Sequence, residues 1–146
     1  MGGREGSKGY LYQALISVLE ALKDERWQNI CVEYESKDDK VDIALKDNDG
    51  MLNVMQVKSS INTFTISNIN KWIDLLINDV NDAEKFTLIL IGNIDSKTKS
   101  YINSIDKMSR GSIDEQTKKN EELMPEIIKK NFMKINIKIL NDDILN

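Results

Sequence analysis

The sequence predicts a single α/β domain, an αβββαβ core whose mixed central sheet is flanked by helices. Three observations carry this. Short segments between Ile30 and Lys58 alternate in character with the period of two that marks half-buried strands. Phe86 to Ile91 is a run apolar but for Thr87 and closed by Gly92, the pattern of a strand buried on both faces. Between and after these lie stretches with apolar residues three and four apart, the spacing of amphipathic helices. A hairpin-linked start followed by a strand–helix–strand crossover makes the sheet mixed.

Taken in order, residues 1–9 are Gly-rich and polar and are expected to form a flexible lead-in, leaving 10–146 as one domain. A chain of 146 residues is the length of one domain rather than two. From Tyr10 to Lys23, Leu11, Leu15, Val18, Leu19 and Leu22 lie on one helical face. Strands are expected over Ile30–Glu35, Val41–Leu45 and Leu52–Lys58. Asp47-Asn48-Asp49-Gly50 joins the last two, because Asn, Asp and Gly tolerate positive φ. The period of two puts Val41, Ile43 and Leu45 on one face and Asp42 and Ala44 on the other. It also pairs Gln56 with Lys58, with Met55 and Val57 turned toward the core. A helix over Ser67–Asp82 carries Ile69, Trp72, Ile73, Leu76, Ile77 and Val80, with Thr65 or Ser67 as its cap. Strand Phe86–Ile91, helix 95–108, a loop at Ser109–Ser112, a helix over Asp114–Phe132 that Pro125 starts or kinks, and strand Ile135–Leu140 complete the chain.

Composition removes several function classes. The chain has no histidine, which excludes Ser-His-Asp and Cys-His catalysis and His-ligated zinc. Cys31 is the lone cysteine, so no intrachain disulfide or multi-cysteine zinc site exists, and it reads as a small buried hydrophobe. The N-terminus lacks the pattern of a secretory signal, and no apolar run is long enough to span a bilayer, so a soluble cytoplasmic protein is expected. The net charge of −4 is unlike that of a protein that coats DNA. Residues 96–138, however, carry 10 basic and 6 acidic side chains. Lys118-Lys119 and Lys129-Lys130 within them read as a solvated face, or as a surface for phosphates.

The chemistry left is that of carboxylates, lysine and a hard cation. If the hairpin pairs the second and third strands, Asp42 lies near Gln56 and Lys58. Phosphodiester hydrolysis needs Mg²⁺ or Mn²⁺ on the scissile phosphate and a positive group near the developing charge. Asp42 would be the anionic ligand, Gln56 would ligate through its amide oxygen, and the Val57 main-chain carbonyl could add a third oxygen. Lys58 would orient the attacking water or stabilise charge. Polar groups at Asp42 and Gln56, inside otherwise apolar strands, need a reason to be there. The plain alternative is a surface pair of Asp42 and Lys58 with no catalytic meaning.

These residues carry a resemblance. GGREGSKGYLYQ, VEYES, KVDIAL and MQVKSS, followed by an Ile/Trp-bearing helix, resemble the N-terminal PD-(D/E)xK nuclease domain of CD-NTase-associated double-stranded DNA endonuclease effectors and related anti-phage proteins. The likeness spans roughly residues 2–75. It implies a restriction-endonuclease-like fold, metal-dependent cleavage of double-stranded DNA, and the site Asp42, Gln56 and Lys58. It also implies a further acidic ligand, Glu33 or Glu35, which share a parity and are not separated by sequence. Gln13 would lie at the rim. Full-length family members carry a C-terminal sensor domain that binds a cyclic nucleotide and drives oligomerisation. This chain is read as lacking it, and a homo-oligomer is expected when the protein is activated. Gln56 in place of the usual acid weakens metal binding. It motivates an alternative reading, a catalytically silent module for assembly or DNA binding.

Overall fold

Segments alternating with a period of two fold as ladders, and the turn chemistry between them decides which ladders are antiparallel. The computed structural model describes residues 27–35, 40–47 and 49–140, the first of these strands by its backbone. Strand β1 is Trp27–Glu35, β2 is Lys40–Asp47 and β3 is Leu52–Ser59. They pair as two antiparallel ladders, β1 with β2 and β2 with β3. Gly50 takes φ 81° in the turn between β2 and β3, a conformation in which a Cβ would be strained. Strands β4 (Lys85–Ile91) and β5 (Ile135–Leu140) then add in parallel, giving a five-stranded sheet in the order β1-β2-β3-β4-β5. β3 is therefore the strand at which the sheet changes from antiparallel to parallel.

A parallel step needs a crossover, and helix α1 (Ile66–Asp79) supplies it between β3 and β4. Thr65 caps the helix reciprocally. Its Oγ1 accepts the Asn68 N–H at 3.1 Å, and Asn68 Oδ1 accepts the Thr65 N–H at 3.1 Å. Such caps stabilise a helix by about 1 kcal/mol. Ile69, Ile73, Leu76 and Ile77 form the buried stripe, each contributing about 1.5–3 kcal/mol by burial. Between β4 and β5 lie α2 (Ser96–Ser109), α3 (Glu115–Glu121), α4 (Glu126–Asn131) and a 3-10 turn at Phe132–Lys134. Asp95 caps α2 by accepting the Thr98 N–H at 2.7 Å, which holds its carboxyl below the usual carboxylate range. Asp114 caps α3 in the same way, and Lys107 Nζ donates to it at 2.9 Å. That ion-paired hydrogen bond, with the Thr117 bonds, lowers its carboxyl further.

The helix expected over Asp114–Phe132 is two helices. Pro125 has no N–H to continue the first and stands as the cap of the second, with Met124 buried between them. Asn120 sits buried under this break, its Nδ2 donating to Ser104 Oγ at 2.8 Å and Ser100 Oγ at 3.2 Å. The amphipathic segment Tyr10–Lys23 lies outside the described residues.

Both faces of the sheet are buried. One joins the core formed with the helices: Val54, Phe86, Leu88, Leu90 and Ile135 meet Ile69, Ile73, Leu76, Tyr101, Ile105 and Ile128. The other carries Ile43, Leu45, Val57, Thr87, Ile89 and Ile91, all buried. The run Phe86–Ile91 is thus covered on both sides, as a sequence apolar at every position but Thr87 implies.

Candidate functional site

The antiparallel register of β2 and β3 places Asp42 directly opposite Gln56. Side chains at directly opposed positions lie on one face with Cβ atoms about 4.5–5.5 Å apart. Here they touch: Gln56 Nε2 donates to Asp42 Oδ1 at 3.1 Å. Gln56 is 7% exposed and Asp42 half-buried, so this hydrogen bond lies largely out of water. The register extends the row. Glu33 stands opposite Asp42 on β1, while Leu88 and Ile137 continue it on β4 and β5. Glu35 stands opposite Lys40, and Lys40 opposite Lys58, one row away. The backbone register therefore separates Glu33 from Glu35, which parity alone does not.

The pair opens into a cleft of about 250 Å³. Its floor is Asp42, Ala44, Val54 and Gln56, and its wall is Leu76, Asp79 and Val80 from the end of α1. This is below the roughly 300–1,000 Å³ of pockets that enclose drug-sized ligands. It suits a hydrated cation and a phosphate group better than a whole nucleotide. Asp79 is a residue that sequence reasoning missed. It falls three positions after Leu76, at the margin of the apolar stripe, where a charged residue reads as ordinary solvation.

Lys58 shares the face of Asp42 and Gln56, as the period of two requires, but it does not line the cleft. Its Nζ lies 4.4 Å from the ring centroid of Trp72 on α1. Trp72 meets Phe64 edge-on, with centroids 5.6 Å apart and planes at 81°. Trp72 is half-buried against the core, as its place on the α1 stripe suggests, and it also offers a face to a cation. Val57 points its side chain to the opposite face and is fully buried, which limits it to a main-chain oxygen as a donor. Met55, expected in the core, is only half-buried, whereas Gln56 beside it is buried. The face carrying the polar residues is the one that α1 covers. Gln13 lies outside the described residues.

For a metal, the donors are all oxygens: a carboxylate at Asp42, an amide at Gln56 and the Val57 carbonyl. That is the donor type of Mg²⁺ or Mn²⁺ and unlike that of zinc. Gln56 must rotate its amide to offer Oε1, since its Nε2 now faces Asp42. Among the described residues, no group of three or more His, Cys, Asp or Glu side chains converges. Among them also, no helix is long and apolar enough to cross a membrane.

The sequence matches no family model and no characterised protein closely enough to assign it. Its fold is similar to that of solved receptors. A Cap4 SAVED/CARF-domain containing receptor of Acinetobacter baumannii, solved with the cyclic trinucleotide 2'3'3'-cAAA, superposes with a TM-score of 0.61 at 8% identity. The match covers 94% of this chain and 32% of the receptor. The same receptor with 3'3'3'-cAAA gives 0.59 at 8% identity, over 92% and 32%. A Cap4 SAVED/CARF-domain containing receptor of Moraxella osloensis gives 0.54 at 11%, over 91% and 33%. At such identities the likeness is one of fold, and this chain spans about a third of the length of those receptors.

Proposed function

We propose that this chain is the nuclease unit of a bacterial anti-phage effector, a metal-dependent endonuclease acting on double-stranded DNA. The observation that carries the reading is the row in which Asp42 and Gln56 face each other on adjacent strands, with Lys58 two residues on along the same face. Three antiparallel strands followed by a helix and a parallel strand support a restriction-endonuclease-like reading of the core. The likeness to receptors of which this chain is only a third leaves room in such proteins for a separate sensing unit.

The chemistry follows from the donors. A Mg²⁺ or Mn²⁺ ion held by Asp42 and the amide oxygen of Gln56, with Glu33 opposite Asp42 as a further carboxylate, would polarise a phosphate and lower the pKa of a bound water. Asp42 anchors with its charge, and Gln56 orients without adding a second charge. Lys58, from the adjacent row, stabilises the negative charge that builds on the phosphate oxygens. The apolar residues lining the cleft, Val54, Leu76 and Val80, lower the local dielectric and strengthen the interactions made at Asp42 and Gln56.

A second reading is a ligand-sensing unit, favoured by the cyclic trinucleotides bound to the fold neighbours. The cleft argues against it, because Asp42 and Asp79 line it and would repel phosphates unless a cation intervenes. The test is plasmid cleavage by concentrated protein with Mn²⁺ or Mg²⁺, with and without EDTA, in wild type and Lys58→Ala. It is run alongside calorimetry with a cyclic triadenylate. Metal-dependent nicking lost in a folded Lys58→Ala variant supports the nuclease. Trinucleotide binding without nicking supports the sensor. Neither activity, with no Mn²⁺ binding, points to the silent assembly module.

A further inference from the structure

Trp72 belongs to the apolar stripe of α1, yet the stripe does not account for all of its surface. Its neighbours on that stripe, Ile69, Ile73 and Leu76, are buried, whereas Trp72 is half-buried and turns a ring face toward β3. Lys58 Nζ occupies that face at 4.4 Å from the centroid, within the roughly 6 Å at which the ring quadrupole attracts an ammonium. The indole is itself braced. Phe64, 1% exposed, meets it edge-on, and Phe64 is held by a backbone bridge to Ile94 at the head of α2. Any Cβ on Gly92, where the chain leaves β4, would come 3.2 Å from Phe64 Cε2, so the brace has little slack.

We infer that Trp72 is a positioning residue for Lys58, and that its ring fixes the ammonium two residues along β3 from Gln56, beside the Asp42–Gln56 pair. The inference rests on the nuclease reading for its catalytic consequence, but the positioning itself does not. A lysine side chain has four rotatable bonds and loses rotamer entropy when it is held still. An indole face held by the core confines that chain before substrate arrives.

The experiment has two arms. In the first, Lys58 of the metal-free protein is observed by NMR, with its ε-CH₂ resonances assigned by comparison with Lys58→Arg. An ammonium over an indole face places those protons in the ring current, so they should be shifted upfield in wild type. The shift should shrink in Trp72→Phe and vanish in Trp72→Leu. An unshifted resonance in wild type, or one that persists in Trp72→Leu, overturns the inference. Should Trp72→Leu fail to fold, Trp72→Phe decides, since a phenyl face binds cations more weakly than indole and an undiminished shift there is equally fatal.

In the second arm, cleavage is measured with Mn²⁺. Trp72→Leu should lower kcat ten- to a hundredfold, the scale on which misplacing a reacting group acts. KM should stay close to wild type, and Trp72→Phe should recover part of the loss. An unchanged kcat in folded Trp72→Leu removes the catalytic role. A wild-type chain that shows the shifted lysine but never cleaves refutes the nuclease reading and upholds the positioning.

Discussion

Replacing Gln56 with glutamate tests the site at its most unusual member. The substitution turns the 3.1 Å hydrogen bond to Asp42 into a contact between two carboxylates. At that separation, two unit charges repel by about 5 kcal/mol at an effective dielectric of 20. The protein need not bear all of this, because the introduced carboxyl group can take up a proton. Holding a group of ordinary pKa 4.3 neutral at pH 7 costs about 4 kcal/mol, and this sets the ceiling. In EDTA, Gln56→Glu should therefore lose 3 to 4 kcal/mol of stability, which is about 10 °C in Tm for a chain of this length. Mn²⁺ removes the repulsion and gains a second anionic ligand. At a hundred times its dissociation constant, a ligand stabilises by about 2.7 kcal/mol, so most of the lost Tm should return. Wild type, offering an amide in that place, should respond to the same Mn²⁺ concentration by a smaller shift. Thermal melts followed by circular dichroism, in EDTA and over a Mn²⁺ titration, measure all four quantities. Equal Mn²⁺ shifts in the two proteins, or no destabilisation of the variant in EDTA, would refute the claim that Asp42 and Gln56 form a metal-binding pair.

Three further outcomes are expected. Gly92 takes φ 147°, and a Cβ there would lie 2.5 Å from the Ser60 carbonyl oxygen; Gly92→Ala should cost about 1–3 kcal/mol, read as a lower urea midpoint with an unchanged slope. Tyr101 is fully buried and donates to Asn70 Oδ1. Burial pushes its hydroxyl up to about 12 from 10. Its contribution is complete below pH 10 and is lost as the pH rises from 10 to 12, by about 2–3 kcal/mol, and Tyr101→Phe should flatten that alkaline limb in denaturant titrations. The Asp114 carboxyl is held low by Lys107 and Thr117, so its stabilisation is present above the ordinary Asp value of about 3.9 and is lost as pH falls below it; Asp114→Asn should show a shallower acid limb, and an unaltered limb would contradict the capping geometry.

The sequence made the strands legible because each carries its own evidence. Alternation in Val41–Leu45, the Asp47–Gly50 turn and the doubly apolar Phe86–Ile91 each specify a local structure without reference to the rest. Periodicity also grouped Asp42 with Ala44, and Gln56 with Lys58. It did not say which face α1 would cover. With apolar residues on both sides of β3, parity names two faces and leaves their partners unspecified, so Met55 was expected in the core and Gln56 outside it. Glu33 and Glu35 were indistinguishable for the same reason: only the inter-strand register, set by the whole ladder, puts Glu33 beside Asp42. Pro125 announced a break without fixing its form. The outcome depended on Met124 turning inward, a tertiary contact. The Lys58–Trp72 contact joins two elements whose relative placement no local pattern encodes.

The position of β3 between an antiparallel and a parallel neighbour also sets the order in which the site is assembled. Asp42 and Gln56 are 14 residues apart on one hairpin, and hairpins close in about 1–10 μs. The parallel ladders need their crossovers first: α1 must dock to bring β4 alongside β3, and α2 through α4 must dock to bring β5 alongside β4. Such non-local pairings come late, because the entropy of closing a long loop is lost before any contact compensates it. The Asp42–Gln56 pair is thus an early product of the chain, and the cleft wall and the aromatic contact of Lys58 are late ones. A cation captured at the hairpin stage would then act on the folding reaction itself, speeding refolding while leaving unfolding slow to respond, so that refolding rates in Mn²⁺ and in EDTA carry a record of when the site is born.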